Sequence, residues 1–567
     1  MRLSTEETLK QLLEKEELFV LYSAAVGTDK SSGENKPKLE YKNPMLFEAP
    51  GSKIVQAWVY DTREACTSAA QAFAQQRIPA ICIRYEKNGL RTMYLCLAEM
   101  GVQRILFHTG EDQGEVPMAA EEIQNIINVP DRSEAEADLS RDIQFYWQRA
   151  NQNRVTPEGK VSVMAKEDEN IRFACMTGSL MRSTLYIPVI VDKENKNRIS
   201  LPVYMDKDAE GNIKDRQVLA FSNKMEVNRF FTEKTPTISL FKLSQIEQFL
   251  GDHADCVVIN KGTTALRITK PLISKIIANE KLIAEGAPLT KEAMEVHLRY
   301  DRVFYSLYGG TMLQPKAGQK PQVLLRGPYI VEDQETFDDT YCIYESKEEA
   351  QAAAKKILEE KKLFVVVREW RNIEFANLYT LLASKAVNLI IYKKGEETVS
   401  MDLSEIVKLP DFSNIEEKQR PIVNPTLALS AQYYWQEIAR MVKIEDRDEE
   451  DQELLAEKNA EFLANLKKAT FYIRFDQQEK DGQKVIVFPL DTRRDAEGKI
   501  ISAEYQLFTD IYEVQDFFNA APPTITKITY AQLKQLIIPE CTGFAFNPAG
   551  VDLHYSKDKM EKILNSL

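Results

Sequence analysis

The stretch LFTDIYEVQDFF at residues 507–518 decides how this 567-residue chain is organised. It passes from an apolar strand pattern through a short polar step into an aromatic helix pattern. An earlier stretch, LAFSNKMEVNRFF at residues 219–231, has the same pattern, with Asn223 opposite Asp510 at an interval of 287 residues (510 − 223). Asp510, followed by Glu513, could be half of a catalytic carboxylate pair or the start of a helix, and the repeat separates the two readings.

The same interval holds across the second and last quarters of the chain. It aligns Gly211 with Gly498, Asn260 with Asn547 and Leu266 with Leu553. The first and third quarters match through WVYDTREACTSAAQAF (58–73) and CIYESKEEAQAAAKKI (342–357), which sets Asp61 opposite Ser346 at an interval of 285 (346 − 61). The two halves are therefore predicted to be duplicates.

Each quarter follows one order of apolar strands, a capped helix, a strand, a helix, a strand ending in a turn, and a final helix. This order predicts an α/β or α+β protein of four modules, each a mixed sheet covered by helices, arranged as two duplicated halves. The predicted modules, with a connecting helix opening the second and fourth, are residues 1–131, 132–285, 286–412 and 413–567.

Aligning the modules favours a structural role for Asp510, because every copy reads [D/N/S]-x-x-E. A short polar side chain at a helix start accepts a free amide hydrogen, and Glu three residues later can return the bond. Asp, Asn and Ser are interchangeable as caps but not as a general base or metal ligand. The predicted capping boxes are Asp61 with Glu64, Asn223 with Glu226, Ser346 with Glu349, and Asp510 with Glu513.

Other short motifs point to structure in the same way. MDKDAEGNIKDRQ (205–217) resembles a calcium-binding loop, but Gln217 stands where the bidentate Glu belongs, so a hairpin connection is predicted. YGGTM (308–312) has paired glycines without the Lys of a phosphate loop, and a strand end or turn is predicted.

The residue types that most often form reactive or metal sites are scattered. The seven cysteines form no CxxC pair and are predicted to be small reduced core residues. The histidines fall one per module, at His108, His253, His297 and His554, in no metal-binding pattern. We therefore predict no catalytic, cofactor-binding or metal-binding residues and no cofactor.

The net charge of −13 opposes generic binding to nucleic acid or to anionic lipid. No run of about 18 apolar residues exists, and the first residues are acidic, so a cytoplasmic protein without a secretion signal is predicted. The repeated aromatic motifs FYWQ (145–148) and YYWQ (433–436) predict a connecting helix wedged between neighbouring modules, with binding of an external partner through these aromatics as the alternative.

The second and fourth modules resemble the SseB N-terminal domain family, named for enhanced serine sensitivity. The resemblance is carried by TLYIPVIV, LAFSNKMEVNRFF and VVINKG in the second module and by TFYIRF, LFTDIYEVQDFF and FAFNPAG in the fourth. The closest matches to the family pattern are Phe508, Thr509, Asp510, Asn547, Pro548 and Gly550. The second module keeps Pro188 and Asn260 but has Lys261 where Pro548 stands. The first and third modules look like divergent members.

The resemblance implies an α/β domain of bacterial proteins without an established set of catalytic residues. Four copies in one chain depart from the one or two that are usual. We expect a non-enzymatic cytoplasmic bacterial scaffold that binds another protein through surfaces between modules, with the partner and the oligomeric state open. The alternatives are a regulatory protein that binds an amino-acid-like ligand in a cleft between modules, and an enzyme whose site is assembled from different modules.

Overall fold

The computed structural model of this chain shows an α+β protein, as predicted, with helices packed on mixed sheets. The chain divides into two compact units, Met1–Pro288 with Arg299–Arg302, and Leu289–Leu298 with Val303–Leu567. The residues that the structure describes are 12–29, 36–48, 54–109, 112–117, 134–156, 161–195, 198–208, 210–250, 253–300, 303–313, 322–407, 415–416, 419–444, 447–480, 483–495, 497–518 and 524–565.

The first sheet belongs to the first unit, and its strands lie in the order β2-β1-β4-β6-β7, with β5 paired to β1 and β3 paired to β4. The elements are β1 (Glu17–Asp29), β2 (Lys36–Pro44), β3 (Phe47–Glu48), β4 (Val55–Tyr60), α1 (Arg63–Gln75), β5 (Ala80–Glu86), α2 (Lys87–Glu99), β6 (Arg104–Thr109) and β7 (Asp112–Pro117).

The second sheet completes the first unit. Its strands run β11-β12-β14-β15, and the pair β13-β8 joins them through a bridge between Tyr186 and Phe221. The elements are α3 (Glu134–Val155), α4 (Val163–Arg182), β8 (Leu185–Pro188), β9 (Ile190–Val191), β10 (Ile199–Ser200), β11 (Val203–Lys207), β12 (Ile213–Ala220), α5 (Lys224–Phe230), β13 (Ile238–Phe241), α6 (Leu243–Leu250), β14 (Cys256–Ile259), β15 (Leu266–Thr269) and α7 (Lys270–Leu282).

The third sheet belongs to the second unit and has the strand order of the first sheet: β17-β16-β19-β21-β22, with β20 on β16 and β18 on β19. The elements are α8 (Lys291–Tyr300), β16 (Val303–Leu313), β17 (Gln322–Pro328), β18 (Val331–Glu332), β19 (Asp339–Tyr344), α9 (Lys347–Lys361), β20 (Val365–Arg371), α10 (Asn372–Ser384), β21 (Leu389–Lys394), β22 (Glu397–Asp402) and α11 (Leu403–Ile406).

The fourth sheet runs β28-β23-β27-β29-β30, with β26 on β27 and a separate β24-β25 hairpin. The elements are α12 (Pro425–Met441), α13 (Glu449–Leu466), β23 (Thr470–Arg474), β24 (Asp476–Lys480), β25 (Gln483–Val487), β26 (Asp491–Arg494), β27 (Ile500–Phe508), α14 (Ile511–Phe518), β28 (Ile525–Thr529), a 3₁₀ helix (Tyr530–Leu536), β29 (Gly543–Phe546), β30 (Leu553–Ser556) and α15 (Lys557–Asn565).

All four sheets contain one arrangement of five strands that the sequence did not reveal. The orders are β5-β1-β4-β6-β7, β13-β8-β12-β14-β15, β20-β16-β19-β21-β22 and β28-β23-β27-β29-β30. In each, the third and fourth strands are parallel and the other neighbouring pairs are antiparallel. The parallel pair requires a crossover connection, and the helix–strand–helix segment between those two strands supplies it.

Helices cover both faces of the first sheet, which explains the continuous apolar run at the start of β1. Successive strand residues point to opposite faces. Leu18 and Val20 pack with α2 in one core cluster, whereas Phe19 and Leu21 pack with α1 in another. The third sheet is built alike, because Phe304 and Leu307 of β16 also fall in separate clusters.

One local prediction needs correction. The apolar pattern of ISLPVYMD (199–206) predicts a single strand, but Leu201 and Pro202 separate β10 from β11, because proline cannot donate to a strand ladder. YGGTM occupies the end of β16, as predicted, and forms no turn. The ladder shifts register between Gly309 and Gly310, and a Cβ on Gly309 would stand 2.3 Å from Trp435 Cζ3, so only glycine leaves room for that ring.

The connecting helix of the second unit is α12, and its aromatic side chains pack into both flanking cores. Tyr433 packs against the core of the third sheet, whereas Tyr434 stacks on Phe462 in the core of the fourth. Trp435 also belongs to the fourth core while its ring lies on Gly309 of β16.

Each connecting helix is also held in place by hydrogen bonds of one glutamine, a role that the sequence did not predict. Gln436 donates from Nε2 to Ile330 O (3.0 Å) and accepts from Ile330 N (3.1 Å). In the first unit Gln148 of α3 makes the same two bonds with Leu46, at 3.0 and 2.9 Å. A side-chain amide that satisfies a backbone donor and acceptor together fixes the helix against the strand connection.

We predict that Gln436→Leu lowers the free energy of unfolding by about 2–4 kcal/mol, because it leaves both backbone groups of Ile330 buried and unpaired. Urea denaturation measures the loss. Thr426→Ala, at an exposed position on the same helix, should change stability by less than about 0.5 kcal/mol. Equal stability of the two variants would show that the glutamine pair does not hold the helix.

Candidate functional site

The predicted capping boxes form to different extents. The Ser346 box is complete: its Oγ accepts from Glu349 N (3.2 Å), and Glu349 Oε2 accepts from Ser346 N (3.3 Å). Asn223 caps α5 by accepting from Glu226 N (2.9 Å). Asp510 caps α14 in the same way, but Glu226 and Glu513 direct their carboxylates to other partners.

The prediction for the first module is wrong by one residue. Thr62 is the cap of α1, accepting from Ala65 N at 3.4 Å, and Glu64 is exposed. Helices α1 and α9 begin at Arg63 and Lys347, an interval of 284 (347 − 63), so Thr62 corresponds to Ser346 and Asp61 precedes the cap. Alanine at the third position has no side chain that could return a hydrogen bond.

Asp510 lies in a buried hydrogen-bond network at the junction of β27 and α14. Its Oδ1 accepts from Tyr512 N (2.9 Å) and Glu513 N (3.0 Å), and its Oδ2 accepts from Thr509 Oγ1 (2.8 Å). Asn547 bonds Thr509 twice, through Oδ1 to its amide and Nδ2 to its hydroxyl, both at 2.9 Å. Both carboxylate oxygens of Asp510 thus accept hydrogen bonds at the point where β27 ends and α14 begins.

The second sheet has the same junction with different side chains. Asn260 Oδ1 accepts from Ser222 N (2.9 Å), and Asn260 Nδ2 donates to Ser222 Oγ (3.0 Å). Asn260 and Asn547 both adopt positive φ, 55° and 47°, a region that asparagine tolerates better than most residues. Asn547 and Asn260 therefore each form a clamp that joins the end of one strand to the end of the parallel strand beside it.

Glu513 forms a buried ion pair that no local motif predicted. Its Oε1 lies 2.7 Å from Lys385 Nζ, and the two side chains are only 4% and 3% exposed. Lys385 is the residue that follows α10, and Glu513 lies in the first turn of α14. The Lys385 ammonium therefore lies at the negative end of the α10 dipole, and the Glu513 carboxylate lies at the positive end of the α14 dipole. Each helix end favours the charge placed there.

Burial affects the two partners differently. Burial raises the pKa of the Glu513 carboxyl, and the Lys385 ammonium opposes that rise. For Lys385, burial alone would lower the pKa, but the charges of Glu513 and Asp510 outweigh it and the pKa is raised. The Lys385 ammonium therefore stays protonated at neutral pH.

The first unit buries the corresponding carboxylate with another set of partners. Glu226 Oε2 accepts from Thr263 Oγ1 (2.6 Å), and Arg229 NH1 lies 3.5 Å from Glu226 Oε1. Arg229 also donates to Asn43 Oδ1 (2.5 Å) and to Cys96 Sγ (3.0 Å). Burial raises the pKa of Glu226, while Arg229 and Thr263 oppose the rise.

Each unit thus neutralises its own buried carboxylate, Glu226 or Glu513, with a different set of partners. At the interval of 287, Arg229 is replaced by Asp516 and Thr263 by Gly550. The carboxylate of Glu513 fills the space beside Gly550, where a Cβ would lie 2.7 Å from Oε2. In the second unit Lys385 supplies the cation that Arg229 supplies in the first unit. The residue at the corresponding position of the first unit, which follows α2, is the uncharged Met100.

The structure places the four histidines in separate environments. His108 stacks on Tyr60, His297 stacks on Tyr392, and His253 is exposed. His554 lies between two carboxylates, at 2.9 Å from Glu504 through Nδ1 and 2.9 Å from Asp552 through Nε2. These carboxylates raise the pKa of His554, and Asp552 also pairs with Arg326 at 2.9 Å. The ion pairs of this cluster connect Arg326 of β17, Glu504 of β27 and His554 of β30.

The calcium-loop resemblance resolves into a hairpin, as predicted. Asp208 Oδ1 accepts from Glu210 N and Asn212 N, both at 2.9 Å, and Gly211 has φ of 87°. Asp495 and Gly498 repeat the turn between β26 and β27. Within the described ranges, no group of three or more His, Cys, Asp or Glu side chains is arranged to hold a metal ion.

Five exposed apolar side chains on the strands of the third sheet lie on one two-stranded ribbon, the distal ends of β16 and β17. Met312, Leu313, Val323, Leu324 and Leu325 are between 37% and 57% exposed. Met312 pairs with Val323 and Thr311 with Leu324, so neighbouring pairs point to opposite faces of the ribbon. Both faces of this apolar ribbon are therefore open to solvent.

Comparisons with known proteins add no family. No family model matches the sequence, and no curated protein matches it. A solved structure of Tic22 from Anabaena, described as a protein of protein transport, is similar over 36% of this chain and 81% of its own, at 11% identity and a TM-score of 0.11. That TM-score carries no argument about fold or function. Across the part of the chain that the structure describes, no helix is long and apolar enough to cross a membrane.

We predict that Lys385→Met lowers the free energy of unfolding by about 3–5 kcal/mol at pH 7, because it leaves the Glu513 carboxylate buried without a cation. A carboxyl whose folded pKa is raised favours folding only while it is protonated. The deficit should therefore shrink as the pH falls from 7 toward 4.5, the ordinary pKa of glutamate. Urea unfolding at several pH values measures it.

Two further variants distinguish stability lost with the ion pair from stability lost through side-chain packing. Adding Glu513→Gln to Lys385→Met should restore part of the lost stability and remove the pH dependence. Lys355→Met, which breaks an exposed pair with Glu359, should cost less than about 1 kcal/mol. A pH-independent loss in Lys385→Met would show that the buried charge is not the cause.

Proposed function

We propose that the protein is a non-enzymatic scaffold of SseB-like repeats from the bacterial cytoplasm, and that it binds another protein through the apolar ribbon of β16 and β17. The shared arrangement of five strands in the four sheets and the repeated asparagine clamp at Asn260 and Asn547 support descent from one module. The exposed apolar ribbon is the observation on which the binding function depends.

The ribbon is suited to recognition of an extended segment. Contiguous exposed apolar surface is uncommon on a soluble protein and marks sites of interaction. Among the described strands, β17 pairs only with β16, so its outer edge has backbone groups available for another strand. A partner segment added there would gain main-chain hydrogen bonds, and its alternate apolar side chains would cover Met312 and Val323 on one face or Leu324 on the other.

The polar residues that first suggested chemistry support this assignment indirectly. The oxygens of Asp510 accept from two amides and a hydroxyl, and Glu513 and Glu226 are paired with cations. A general base needs a lone pair directed at a substrate, within hydrogen-bond reach of the proton that it removes. These carboxylates instead satisfy helix starts and buried cations.

One observation favours the alternative function, binding of an amino-acid-like ligand. A pocket of about 90 Å³ in the fourth sheet is lined by Ile473, Arg474, Pro489, Leu490, Asp491 and Gln506. Arg474 and Asp491 carry charges complementary to the carboxylate and ammonium of an amino acid. This alternative predicts a saturable rise in melting temperature with an amino acid and loss of that rise in Arg474→Ala. No rise with any of the twenty amino acids would exclude it.

The scaffold proposal predicts that Met312→Lys with Leu324→Lys weakens partner binding at least tenfold, about 1.4 kcal/mol, at an unchanged melting temperature. The double variant places charge on both faces of the ribbon without altering buried side chains. Quantitative co-purification from native cells, followed by titration of the recovered partner, measures the effect.

Ile486→Lys is the matched control, because Ile486 is 56% exposed on the separate β24-β25 hairpin. The partner should stay stoichiometric with wild type and with this control and be lost from the ribbon variant. Retention of the same partner by the ribbon variant would contradict the proposal. A wild-type dimer that the ribbon variant converts to monomer would replace the partner with a second copy of this chain.

A further inference from the structure

Two cysteines from different elements of the first sheet meet beneath helix α1. Cys66 lies on α1 and is fully buried, and Cys82 lies on β5 and is half-buried. Both belong to the core cluster between α1 and the sheet, and each thiol shifts the pKa of the other. Within the described part of the sheet, β5 is paired to β1 alone and forms an edge, which leaves a route for a small reagent.

The pair is chemically asymmetric. Interaction with the Cys66 thiol lowers the pKa of the Cys82 thiol to about 7, with further help from Thr67 and Arg63 and opposition from burial and Glu64. The same interaction and burial raise the pKa of Cys66 far above that of an ordinary thiol. The more accessible sulfur is therefore the one that ionises, and its neighbour stays a thiol.

We propose that Cys82 and Cys66 form a reversible redox site, in which a hydroperoxide oxidises Cys82 and Cys66 then closes an intramolecular disulfide between β5 and α1. The site is separate from the apolar ribbon and does not depend on the proposed scaffold function.

The chemistry balances with hydrogen peroxide as oxidant. The Cys82 thiolate attacks one peroxide oxygen, the O–O bond breaks, and the product is a sulfenic acid with release of water after proton uptake. Cys66 then attacks the Cys82 sulfur, the S–O bond breaks, and a second water leaves with the Cys66 proton. Two thiols and one peroxide give one disulfide and two waters, and an external dithiol reverses the reaction.

The third sheet offers natural controls. By the starts of α1 and α9, Cys66 corresponds to Ala350, and by the starts of β5 and β20, Cys82 corresponds to Val367. Cys66→Ala and Cys82→Val therefore introduce residues that the same fold already accommodates. Cys342 on β19 is a half-buried thiol for comparison, and burial raises its pKa.

The test treats the full chain with limiting hydrogen peroxide, alkylates the remaining thiols and maps the peptides by mass spectrometry. We expect a linked peptide pair containing Cys66 and Cys82, lighter by the two hydrogens lost and restored by dithiothreitol. Cys82 should react at least about tenfold faster than Cys342, and its rate should rise as the pH passes through 7 and the thiolate forms.

The variants assign the order of steps. In Cys66→Ala, Cys82 should accumulate as a sulfenic acid that dimedone captures, because the resolving thiol is gone. In Cys82→Val, Cys66 should stay alkylatable. Absence of the linked peptide in wild type, or oxidation of Cys342 at the rate of Cys82, would overturn the proposal.

Discussion

A helix that starts against a sheet in the protein interior must find acceptors for its first amides, since no water is present to supply them. At the fourth sheet Asp510 provides these acceptors, and Asn547 holds the strand end from which the helix departs. The second sheet solves the same problem with Asn223 and Asn260. Because this junction sets the direction of the helix, it also fixes where the third helical residue places its side chain.

That third residue is a buried carboxylate in the second and fourth sheets, and its neutralisation links distant parts of each unit. In the first unit the cation is Arg229, one turn along the same helix, with Thr263 as an additional donor. In the second unit it is Lys385, at the end of a helix of the third sheet. A buried charge tolerates exchange of its partners but not their loss, so the two solutions differ in sequence while satisfying one electrostatic requirement.

The apolar ribbon and the cysteine pair lie apart from these junctions. The apolar ribbon extends beyond the covered part of the third sheet, and both of its faces meet solvent. Cys82 is half-buried on β5, an edge strand of the described part of the first sheet, and Cys66 lies beneath α1 in the same core cluster. Binding and oxidation at these places would leave the helix junctions intact, so a partner or an oxidant could act without unfolding a sheet.

The sequence by itself determined what depends on neighbouring residues. Strand and helix patterns predicted an α+β protein, and Asp208 with Gly211 marked a hairpin, because turn hydrogen bonds and backbone angles are local. The tertiary structure alone decided the strand order, the pairing of Glu513 with Lys385 and the meeting of Cys66 with Cys82. The structure also showed that the N-cap of α1 is Thr62 and not the predicted Asp61. Such contacts join residues far apart in the chain, and their chemistry follows from burial and proximity, which leave no periodic pattern in the sequence.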